Sequence, residues 1–115
     1  MRKMALLLAA AILVFAATMA LAHPPKSISA SWDAANQILN VSAEHNVNDP
    51  VKHYVLSMTI LDGNKQLILK QYDRQASAEK FQDSVSLQGV ASGTVLRIQL
   101  VCNIMGSQET EFRIP

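Results

Sequence analysis

Thr94-Val95-Leu96-Arg97-Ile98-Gln99-Leu100-Val101-Cys102 alternates apolar and polar or mixed positions without a break. Leu96, Ile98, Leu100 and Cys102 fall on one face, with Val95, Arg97, Gln99 and Val101 on the other. A period of two belongs to an extended strand, whose successive side chains point to opposite sides. A strand with one apolar face needs a second layer to cover it. This segment alone therefore implies a layered β domain.

The same period recurs outward in both directions. Strands are expected near residues 26–32, 37–45, 53–61, 65–72, 80–87, 94–102 and 108–114. In the second, Leu39, Val41, Ala43 and His45 share a side. In the third, Tyr54, Leu56, Met58 and Ile60 are expected to face the core, with His53, Val55, Ser57 and Thr59 opposite. In the last, Thr110, Phe112 and Ile114 alternate with Glu109, Glu111 and Arg113. Asp62-Gly63 separates two such runs and predicts a tight antiparallel hairpin, because glycine tolerates the positive φ that such turns require. Ala34-Ala35-Asn36 turns the first hairpin, and Gly89 and Ser92-Gly93 break the chain before the sixth strand. Seven short alternating strands with regularly spaced turns predict an all-β, immunoglobulin-like sandwich.

Upstream of this pattern the composition changes. Arg2 and Lys3 precede an apolar run, Met4 to Leu21, that ends in Ala20-Leu21-Ala22. A basic start, an apolar middle and a small-x-small ending read as a secretory signal peptide over residues 1–22. An uncleaved membrane anchor is the alternative, since the run is long enough to span. Cleavage leaves a single domain, residues 23–115, in the periplasm or outside the cell. Without Arg2 and Lys3 the ten basic residues become eight against nine acidic ones, a net charge of −1. That balance excludes nucleic acid as a partner and gives no attraction to anionic membranes. Scattered serines lack a matching His/Asp arrangement, and no glycine-rich phosphate loop exists, so hydrolytic and nucleotide chemistry find no support.

Cys102 is the chain's one cysteine. In an exported protein it has no intramolecular disulfide partner, so it is a buried thiol, an intermolecular partner or a metal ligand. It closes a strand and leads into Asn103-Ile104-Met105-Gly106, and strand ends feeding loops are where sandwiches present functional groups. Three histidines accompany it. His45 ends the second strand, as a hydrogen-bonded margin residue or a ligand. His53 opens the third, as a half-exposed sheet residue or a ligand. Asp49-Pro50 between them is a turn former that brings the two ends together. His23 becomes the amino terminus after cleavage, either a free tail or a copper ligand through its amine and ring. Met105 is either an axial thioether or a cover over the core.

At these residues the sequence resembles the ferrous-iron-binding domain of the desulfoferrodoxin and superoxide reductase family. The family loop His-Pro-…-His-Tyr-Ile is matched by His45 through His53-Tyr54-Val55. The family motif Cys-Asn-x-His-Gly is matched by Cys102-Asn103-Ile104-Met105-Gly106. The resemblance implies an immunoglobulin-like sandwich, a mononuclear non-haem iron held by histidines and an axial thiolate, and one-electron reduction of superoxide. It also implies a small electron-donor protein as partner. Carried onto this chain, it points to His45, His53 and Cys102 as metal ligands, with His23 in the place of an early histidine. Met105 stands where the family has its last histidine, Asn46 replaces the loop proline, and the His45–His53 spacing is two residues longer than the family loop. Two further readings stay open. His, Cys and Met also compose a copper site, and a sandwich that has lost its metal would serve as a non-catalytic accessory or binding module.

Overall fold

The strand that carries Cys102, β6 (Val95–Cys102), lies between β3 (Val55–Asp62) and β7 (Ser107–Arg113), antiparallel to both. The computed structural model describes residues 23–115; the signal peptide read at residues 1–22 lies outside the described residues. β4 (Lys65–Gln71) flanks β3 and completes a four-stranded sheet in the order β4-β3-β6-β7. A second sheet has the order β1-β2-β5, from β1 (Lys26–Asp33), β2 (Ile38–Glu44) and β5 (Lys80–Ser86). All neighbouring strands are antiparallel. Seven strands in two antiparallel sheets make the expected β-sandwich. No helix among the described residues is long and apolar enough to cross a membrane.

The strand patterns explain the stacking. Leu39, Val41 and Ala43 from β2 meet Leu96, Ile98 and Leu100 from β6, all buried. Met58, Ile60, Phe81, Val85 and Ile114 close the same core. Burying a side chain of this size contributes about 1.5–3 kcal/mol, and with the lone cysteine unpaired no disulfide adds to it. The Asp62-Gly63 hairpin forms as read, joining β3 to β4 with Gly63 at φ 58°. The first hairpin turns at residues 34–37, where the Asp33 carboxylate accepts the Asn36 backbone N–H at 3.2 Å.

One expectation fails, and the failure shapes the site. Strict alternation put Tyr54 and Leu56 on the core face of β3. Instead Val55 is buried at 1% exposure and Leu56 stands 38% exposed. The cause is a register shift between Val55 and Ser57 in the pairing with β6: Val55 pairs with Cys102, while Ser57 pairs with Val101. This is a β-bulge, which inserts one residue and reverses the facing on its far side. Met58 and Ile60 keep the inward direction read for them. The residues before the bulge are turned over, and His53, two residues before Val55, comes to the side of Cys102.

Candidate metal centre

The three donors arrive from three places in the chain and converge at one end of the sandwich. Cys102 closes β6, 5% exposed, with its sulfur continuing the apolar face of Leu96, Ile98 and Leu100. His45 follows β2 on the face of Leu39, Val41 and Ala43 and is fully buried. Its backbone N–H donates to Glu79 O at 3.1 Å, which prolongs the β2–β5 ladder past Glu44 and fixes where the ring emerges. His53 is set by the turn at Asp49: the Asp49 carbonyl accepts the N–H groups of Lys52 and His53, at 3.1 and 2.9 Å. The Asp49 carboxylate accepts the Val51 N–H at 3.0 Å in the local pattern expected of Asp before Pro.

His53 Nε2 and Cys102 Sγ are hydrogen-bonded at 3.1 Å, either atom carrying the proton. The rings of His45 and His53 meet edge to face with centroids 4.8 Å apart. One donor atom from each of His45, His53 and Cys102 lies within 4.8 Å of the others. Ligands sharing one ion at about 2.0–2.3 Å sit about 3–4 Å from one another, so small side-chain movements bring all three into one coordination sphere. Imidazole and thiolate together suit iron, copper or zinc. The geometry thus forms a His/His/Cys cluster that fits a metal ion.

Asn103 holds the segments that carry His53 and Cys102 in register. Its N–H donates to Tyr54 O at 3.0 Å, its Oδ1 accepts the Tyr54 N–H at 2.9 Å, and its Nδ2 donates to Lys52 O at 3.0 Å. The side chain imitates a stretch of strand backbone, so β3 and β6 stay joined beyond the last ladder rung. The Ile104 N–H donates toward Cys102 Sγ at 3.5 Å, and the Cys102 N–H donates to Gly106 O at 2.9 Å to close the turn.

His23 stands beside the cluster, its ring 5.3 Å from that of His45 and 5.6 Å from that of His53. Its ring nitrogens face backbone oxygens instead of the centre, Nε2 at 2.8 Å from Asn46 O and Nδ1 at 3.1 Å from Pro24 O. The His23 carbonyl oxygen, however, lies 3.3 Å from His45 Nε2. Pro25 is buried behind it, and Pro24 packs on Gly106, where an added Cβ would meet Pro24 at 2.9 Å. Met105 lies in the same turn and is 38% exposed.

Burial, and then the neighbouring His45 and His23 imidazoles, hold His53 below the ordinary histidine range, against a smaller opposing pull from the His23 backbone. His53 is therefore a neutral nitrogen base at neutral pH, the form in which imidazole binds metals.

Sequence reasoning missed Gln75. Only 5% exposed, it is, with His45, one of two buried polar side chains among the described residues. It sits between β4 and β5 in Asp73-Arg74-Gln75-Ala76-Ser77, a polar run with the composition of an exposed loop. The loop is drawn inward by the Gln75 N–H, which donates to Pro50 O at 2.9 Å. No local signal marks this residue, because its partners come from residues distant in the chain.

No family model and no curated protein sequence matches the chain. A solved structure of superoxide reductase in the oxidised state is similar to it, with a TM-score of 0.47 and 10% identity over 81% of this chain and 90% of that one.

Proposed function

We propose that this domain binds one mononuclear non-haem iron ion through His45, His53 and Cys102 and serves a redox role outside the cytoplasm. The observation that carries the reading is the gathering of two imidazoles and the chain's one thiol within 4.8 Å, from segments up to 57 positions apart in sequence. Iron is preferred to zinc or copper because of the loop and Cys-Asn-x-x-Gly resemblance described above. The basic and apolar leader supports an exported location, periplasmic or secreted.

Bound iron supplies a one-electron change of oxidation state, and superoxide is the substrate class that the resemblance implies. The chain's own residues do the rest. Cys102 offers its sulfur from within the apolar core, where low dielectric would strengthen a bound thiolate's interaction with a cation. The Ile104 N–H donates toward that sulfur and tempers its charge. His53 reaches the centre already neutral. Val51 and Ile104, 58% and 55% exposed on the two loops that Asn103 joins, give a small electron-donor protein an apolar surface to touch.

Metal analysis of the protein purified without oxygen from its native compartment tests this reading. About one iron per chain is the expected result. A metal-free native protein that also fails to take up added Fe(II) overturns it, and a copper content lost on His23→Ala would move the assignment to a copper site at the amino terminus.

A further inference from the structure

The Gln75 side chain makes four hydrogen bonds, and together they leave its amide one orientation. Nε2 donates to His45 O at 2.9 Å and to Ser77 O at 3.0 Å, and both partners can only accept. Oε1 accepts the Val55 N–H at 3.3 Å, a partner that can only donate. Turning the amide over would set oxygen against two carbonyls and NH2 against the Val55 N–H. Three backbone groups therefore fix which atom is oxygen, independently of the His45 ring.

That oxygen lies 2.8 Å from His45 Nδ1. An amide oxygen only accepts, as does the His23 carbonyl 3.3 Å from Nε2. A neutral ring has one proton for the two, and the shorter contact places it on Nδ1. The lone pair is then on Nε2. Nε2 in turn faces the His23 carbonyl oxygen at 3.3 Å, one lone pair opposite another. A cation at the centre turns this opposition into attraction to both atoms. We infer that Gln75 is a positioning residue that locks His45 in the Nδ1–H tautomer and presents Nε2, with the His23 carbonyl beside it, to the metal. The inference rests on the metal-binding reading for its purpose, while the hydrogen bonds behind it are all made by the chain's own groups.

The amide does in a buried setting what a carboxylate or carbonyl commonly does behind a metal-bound histidine. A neutral acceptor has an advantage here. It sets the tautomer without placing a negative charge in the buried pocket beside the Cys102 sulfur. Gln75 also spans the site mechanically. It bonds His45 after β2, Val55 at the bulge in β3 and Ser77 before β5, so one side chain ties the two sheets together behind the cluster.

The test is long-range proton–nitrogen NMR on metal-free protein with 15N-labelled histidine, at about pH 8, above the ordinary histidine range. The unmodified protein should show His45 with Nδ1 protonated and Nε2 bare; an Nε2–H tautomer overturns the proposal without any variant being made. Gln75→Leu should release the tautomer toward Nε2–H, which the His23 carbonyl can accept, and weaken Fe(II) binding about 10–100-fold. Gln75→Glu, which keeps an acceptor opposite Nδ1, should retain the Nδ1–H form. A folded Gln75→Leu protein with unchanged tautomer and unchanged Fe(II) affinity also overturns it. If the tautomer is as stated but no Fe(II) binds, the positioning geometry stands and the iron assignment fails.

Discussion

His53 Nε2 lies 3.1 Å from Cys102 Sγ although 49 residues separate them, and a β-bulge creates the contact. In an unbroken ladder His53 would share a face with the outward side chains of β3. The extra residue between Val55 and Ser57 reverses that facing and delivers the ring to the sulfur. The bulge strains nothing that the core needs, because Met58 and Ile60 resume the inward direction beyond it. The candidate site is thus made by an irregularity at the end of the sheet, while the regular part supplies stability.

Asn103→Ala should separate the two loops that this contact joins. It removes the acceptor for the Tyr54 N–H and the donor to Lys52 O. A cost of about 1–3 kcal/mol is expected from the groups left unpaired. Denaturant unfolding measures that cost. Fe(II) affinity should fall as well, because His53 loses its fixed distance from Cys102.

Gly106→Ala should displace the His23 segment while leaving the core intact. Gly106 has φ 83°, and an added Cβ would sit 2.9 Å from Pro24 Cβ. The left-handed backbone alone costs a non-glycine residue about 1–2 kcal/mol. Histidine NMR signals of His23 should move strongly, whereas methyl signals of Leu96 and Ile98 should not.

The pH dependence of stability should show the Asp83 contacts that join the two sheets. The Asp83 carboxylate accepts from Tyr72 Oη at 2.6 Å and pairs with Lys70 Nζ at 2.7 Å. Burial by itself raises the Asp83 carboxyl, but bonds from Lys70, Tyr72 and the Ser84 N–H outweigh it and leave the group below its ordinary value. A carboxyl depressed by folding stabilises above its unfolded value of about 3.9 and loses that contribution as pH falls through the folded value. Burial and Asp83 raise the Tyr72 phenol, so its share is lost in the alkaline direction. Asp83→Asn should cost about 1 kcal/mol at pH 7, the figure being held down by solvent screening at the half-exposed Lys70. Urea unfolding in acid, below the folded Asp83 value, should show the difference between the two proteins shrinking; a constant difference would contradict the assignment.

Sequence alternation made the sandwich legible. β6 needed only the run Thr94–Cys102 to be read, and the Asp62-Gly63 turn fixed the pairing of β3 with β4. Strand bounds fall within two residues of those expected because turn chemistry is local. The inward faces of β2 and β6 follow the same period, which is why His45 and Cys102 stand where alternation put them. The face of Tyr54 and Leu56 was misread, since a bulge answers to pairing with a distant strand and leaves no mark in the run itself. Gln75 was invisible for a related reason. Its burial depends on Pro50, Val55 and His45, which only the folded chain brings to it. Asn103 was visible as a motif residue, but its work as a surrogate strand was not.

The most direct test of the central claim is the visible spectrum of the oxidised, iron-loaded protein beside its Cys102→Ser variant. A thiolate bonded to ferric iron absorbs in the visible, and the account predicts that band in the unmodified protein and its loss in the folded variant. A band that survives the substitution, or its absence from an unmodified protein that holds iron, would contradict the claim that Cys102 sulfur and the two imidazoles form one metal centre.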